Sequence, residues 1–154
     1  MPKRKRIKPK LNGNHKYLQV TNLLLIISFL YFLTTSTPHP TQKVEFVLAS
    51  SLVATITLSQ LFWHHPIQHS RIHKVDAIVA KTVILSCVSY TVVYKFQYSF
   101  LVLLSGIVSS AYSSHHFSTI EWCSDRHLVS HGCLHILCFI ATFYTFDPKP
   151  LSLQ

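Results

Sequence analysis

Four stretches without a single Asp, Glu, Lys or Arg, at 17–42, 46–70, 96–120 and 127–146, constrain this chain more than any other feature. About 20 helical residues cross the hydrocarbon core of a bilayer, and each stretch is long enough to do so. Charged residues make up 12% of the 154, about half the usual share for a soluble domain. The expected fold class is therefore all-α, a polytopic transmembrane helix bundle. Three glycines exclude a collagen-like or glycine-linker chain, and the 49% apolar content excludes disorder beyond the N-terminal tail. No glycine-rich nucleotide loop is present. The four cysteines, Cys87, Cys123, Cys133 and Cys138, lack CxxC spacing and map within spans or to the cytosolic side, so a disulfide scaffold is not expected.

Residues 1–16 read as a disordered basic cytosolic tail, with six Lys or Arg among the first ten positions. Those charges also fit a nuclear localisation signal by composition. A hydrophobic span begins directly behind them, however, and an anchor on the cytosolic side explains them better. The apolar stretch 18–35 exceeds the h-region of a cleaved signal peptide and lacks a small-residue cleavage site, so it reads as an uncleaved helix. Five spans are expected within a bundle at 17–146, at about 18–36, 44–63, 75–94, 97–113 and 128–146, with a short tail at 147–154. Pro66 ends the second, and Asp147-Pro148 ends the fifth.

With the N-terminus inside, eleven cations fall on the cytosolic side: Lys3, Arg4, Lys5, Arg6, Lys8, Lys10, Lys16, Arg71, Lys74, Arg126 and a snorkelling Lys81. Three, Lys43, Lys95 and Lys149, fall opposite, which puts the C-terminus outside. Tyr17, Trp63, Tyr112 and Trp122 are placed at the inner interface, and Tyr94, Tyr98 and Tyr144 near the outer one. Ser105, Ser109 and Ser113 lie four apart beside Gly106, Ser110 and Ser114, a small-residue surface for packing within the bundle or between copies. The segment 118–121 reads as a capping box opening a short interfacial helix.

Histidine is the unusual residue, with eleven in the chain. His64, His65, His69, His73, His115, His116, His127, His131 and His135 map to the inner face or the inner half of a span, leaving His39 outside and His15 in the tail. His131 and His135 form an HxxxH pair on one helical face, able to fill two corners of a tetrahedral zinc site. Neutral imidazoles in a span also serve as interhelical hydrogen-bonding groups. His127 shares the stripe, though it precedes the span. Asp76, three residues after His73, is placed to fix an imidazole tautomer or hold a metal-bound water; equally it is a helix-start carboxylate neutralised by Lys74 or Lys81. Ser59 lies about a turn inside the second span and can bond such a water or simply its own helix.

The order Ser59, His64, Asp76, His131, His135 resembles the CREST superfamily of membrane hydrolases, which includes the alkaline ceramidases and the progestin and adiponectin receptors. The resemblance implies a zinc-activated water acting on a lipid amide or ester, with His64, His131 and His135 as ligands and Asp76 and Ser59 as catalytic groups outside the metal's coordination. In that superfamily the first motif is Ser-x-x-x-His in a seven-helix bundle. Here the fourth residue after Ser59 is Trp63, and His73 or His116 are alternatives for the third ligand. The competing expectation is a non-enzymatic membrane scaffold or interaction protein whose histidines pack or face headgroups. Membrane lipids are the expected partners, anionic ones near the basic tail, with no nucleic acid. A transporter is less well supported because no repeat or broken helix is visible.

Overall fold

The computed structural model describes residues 14–36, 38 and 40–148. They form five helices: α1 (Lys16–Thr35), α2 (Gln42–His64), α3 (Arg71–Tyr94), α4 (Tyr98–Ile120) and α5 (Asp125–Thr145). The basic cluster at 3–10, His39 and Lys149 lie outside the described residues. Helices α1, α2, α3 and α5 are long and apolar enough to cross a membrane. Helix α4 is as long as α2, but its many serines and the pair His115-His116 lower its hydropathy below theirs.

Two helix boundaries move from their expected places for identifiable reasons. Helix α3 starts at Arg71 because Ser70, in extended conformation, accepts the His73 N–H and caps the first turn. Helix α4 continues to Ile120, so the capping box expected at 118–121 is not one: Ser118 bonds back to the His115 carbonyl and Glu121 is the C-cap. The true N-cap is Ser124, which opens α5 by accepting from the His127 N–H.

Helix α5 is the organising element, packed against α4, α1 and α3, while α2 lies between α1 and α3. One end of the bundle is filled by Phe32, Leu48, Ala49, Leu52, Val83, Tyr90 and Phe146. The other is filled by Leu18, Phe62, Trp63 and Leu128, with Trp122 and Cys123 against them. Polar side chains also join helices across the bundle: Asn22 to the Ile56 carbonyl and Ser28 to Thr142 between the ends, and Thr91 to Thr145 beside Tyr90 and Phe146. Such bonds replace the hydrophobic driving force that is missing between helices in lipid.

Small residues decide two contacts. The ring of Tyr17 lies over Gly132, where any Cβ would come within 2.3 Å of it. The α4 stripe divides by face: Gly106 meets Leu137 and Ser114 meets His131, both on α5, whereas Ser105 and Ser109 are exposed. All four cysteines are free.

Candidate functional site

The helix ends that gather here are the N-termini of α1, α3 and α5 and the C-termini of α2 and α4. Helices α3 and α5 enter this end through the same local device. His69 (φ 59°) and Cys123 (φ 61°) take the left-handed conformation, each is followed by a serine N-cap, and each is followed four residues on by a histidine. The His69 N–H donates to His73 Nδ1 at 2.9 Å, and the Cys123 N–H donates to His127 Nδ1 at 3.2 Å. An imidazole that accepts at Nδ1 carries its proton on Nε2 when neutral. His73 and His127 in this state have no lone pair left for a metal. Both rings pack against Trp122, at centroid distances of 5.1 and 4.9 Å, and Phe62 stacks on His73 at 4.8 Å.

Deeper along α5, His131 and His135 meet edge to face, with ring centroids 4.8 Å apart. Their Nδ1 atoms are tied to neighbouring helices, His131 to Ser114 Oγ on α4 and His135 to Thr21 Oγ1 on α1, both at 2.9 Å. The Thr21 hydroxyl donates to the Leu18 carbonyl, so it accepts from His135 Nδ1–H and leaves Nε2 as the ring's lone-pair nitrogen. His127, His131 and His135 thus line the buried face of α5 as a column of imidazoles.

Ser59 and Asp76 are brought together. The Ser59 hydroxyl donates to Asp76 Oδ1 at 2.5 Å, and both side chains are buried. The expected task of Asp76 as orienter of His73 falls instead to the backbone of His69, and Asp76 has its hydrogen bond from Ser59. The three residues considered as a third ligand do not join the pair. His64 is exposed at the end of α2 with its ring against His65, and His116 is exposed on α4 against Tyr112 and Phe117. His73 is committed to its cap.

What α2 sends to the pair is Trp63. Expected at the lipid interface, it is 1% exposed, with its indole edge to face with His131 at 5.3 Å and stacked with Trp122 at 6.2 Å. Its Nε1–H is buried without an acceptor. An indole donates one hydrogen bond and offers no ligating lone pair. Among the described residues no three His, Cys, Asp or Glu side chains are arranged to hold a metal ion. A zinc hydrolase site uses three protein ligands and an open position for water. The donor set here, two imidazoles beside an indole, does not fit that group.

Two exposed acids also stand at this end, Glu121 and Asp125, the second accepting from the Asn14 amide at 3.0 Å. Burial pushes the Cys123 thiol up to about 12, and burial with neighbouring Lys16 and His64 lowers the His15 pKa. Lys16, Arg71, Lys74 and Arg126 are exposed around the rim.

One buried cluster escaped sequence reading altogether, at the opposite end. Lys95, expected in an outer loop, is 7% exposed and pairs with Glu45 Oε1 at 2.5 Å. The Tyr90 hydroxyl donates to the same oxygen at 2.5 Å and lies 2.9 Å from Thr41 Oγ1, and Lys95 Nζ also donates to the Asp147 carbonyl. The signal available was Glu45 itself, an acid beside a span with no neighbouring cation on its own helical face, for which Lys95 is the solution.

Protein-family models, curated proteins and solved structures were compared with the chain, and none matches.

Proposed function

We propose that this chain is a five-span, non-enzymatic membrane scaffold, N-terminus inside and C-terminus outside, whose histidine-rich end is a packed helix junction facing anionic headgroups. The observation that carries the reading is Trp63 against His131, in a cluster whose other two nearby imidazoles, His73 and His127, are spent on capping. Support for the orientation comes from the exposed cations Lys16, Arg71, Lys74 and Arg126 at that end, matching the basic tail. In this reading α4 crosses the membrane sheltered on one side by α5, with Ser105 and Ser109 on its outer face left for contact with a second copy.

The zinc-hydrolase reading has one observation in its favour. Ser59 and Asp76 form a buried pair at the end of the bundle that holds His131 and His135, and both histidines have Nδ1 pinned by a hydroxyl, as metal-ligating histidines do. Among the described residues no third nitrogen joins the pair.

Thermal unfolding in detergent, with and without a strong chelator, tests the scaffold. The same midpoint in both conditions is expected. A midpoint that falls on chelation and returns with added zinc contradicts it, since metal that binds only the folded state stabilises by mass action.

A further inference from the structure

We propose that Trp63 is the residue that closes the His131/His135 pair to metal, so that a single donor placed at position 63 converts the junction into a divalent-metal site. This inference rests on the non-catalytic reading above and sharpens it.

Three features leave the pair one donor short. First, hydroxyls of Ser114 and Thr21 hold both Nδ1 atoms, and the Thr21 bond directs the His135 lone pair to Nε2. Second, the two residues stand four apart on one helical face, with rings 4.8 Å apart, so no helix movement is needed to present both. Third, the neighbour that α2 supplies is aromatic carbon and a donor N–H. The indole sits in a wall of rings with Phe62 at 4.9 Å and Trp122 at 6.2 Å, and covers one side of His131 at 5.3 Å. A dication held there by two neutral nitrogens and no third ligand does not recover the cost of leaving water.

The test loads zinc chloride onto chelator-stripped, tag-free full-length protein in detergent and counts metal after gel filtration. The natural chain and Trp63→Phe are expected to retain less than about 0.1 zinc per chain, and Trp63→His about one. Adding His131→Ala or His135→Ala to Trp63→His should return it to the natural level. Cobalt(II) in place of zinc should give a tetrahedral absorption spectrum in Trp63→His alone. If Trp63→His does not fold, Trp63→Cys, smaller and able to ligate as thiolate, decides in its place. A folded ligand-bearing variant that stays metal-free overturns the inference while leaving the scaffold reading intact. Stoichiometric zinc on the natural chain, lost in His135→Ala, overturns both.

Discussion

The indole of Trp63 and the imidazole of His131 meet edge to face with ring centroids 5.3 Å apart, and this contact joins the end of α2 to the N-terminal half of α5. It places an aromatic side chain at the point where the chemistry of two adjacent histidines would otherwise call for a ligand. The consequences for stability are separable, residue by residue.

The tightest of them is at Gly132. The Tyr17 ring, half exposed at the start of α1, occupies the place a Cβ would take. Gly132→Ala must push that ring aside and should destabilise the folded state by about 1 kcal/mol, the low end of the cost of overpacking. Thermal denaturation in detergent reads this, and Tyr17→Leu in the same chain should recover most of the loss. Equal loss in the single and double variants would show that the strain lies elsewhere.

Ser59 and Asp76 form a pair whose members are unequal. Ser59→Ala removes the donor at 2.5 Å and leaves a buried carboxylate without its hydrogen bond, which costs about 1–3 kcal/mol. Asp76→Asn keeps an acceptor for the Ser59 hydroxyl and should cost less. Unfolding midpoints of the two variants rank them; the reverse order would contradict the assignment.

At the other end of the bundle, Glu45→Gln or Lys95→Met alone takes away the ion-pair partner of a buried charge and should cost about 3 kcal/mol, the low end for breaking a buried pair, whereas the double variant should cost clearly less than the sum of the two. A double-mutant cycle measures this. Strict additivity would mean that the two groups do not act as a pair.

Cys123 supplies a pH-dependent readout outside the spans. Burial lifts its thiol to about 12, so at pH 8 the reactive thiolate is about 10³-fold scarcer than for an ordinary cysteine near 9. Raising the pH toward 12 deprotonates it and lowering the pH does the opposite. Maleimide labelling of a Cys87→Ser/Cys133→Ser/Cys138→Ser chain at pH 8 should therefore be slow while folded and fast in denaturant. Rapid labelling of the folded protein would show that Cys123 is not held in this environment.

Charge-free runs made the helices legible because lipid permits few alternatives for a polar backbone. The spacing of His131 and His135 likewise fixed which face they share. Sequence could not show which of Trp63 and His64 turns inward, because one residue is about 100° of helix rotation and the choice depends on how α2 rolls against α1 and α5. The family resemblance pointed to His64 as the inward group, while packing put the larger apolar ring of Trp63 in the core. The start of α3 was missed for a related reason. Arg71, His73 and Lys74 look like a polar loop by composition, yet Ser70 and the His73 ring satisfy the first turn and carry the helix out to them. The partner of Glu45 was not legible because the pair stands at the far ends of two successive helices, the start of α2 and the C-cap of α3, and meets only once those helices fold back on each other.

The measurement closest to the central claim is elemental analysis of the untagged natural protein, purified in detergent without chelator. The account predicts less than about 0.1 zinc per chain, with no change in His135→Ala. One zinc per natural chain, absent from His135→Ala, would contradict it.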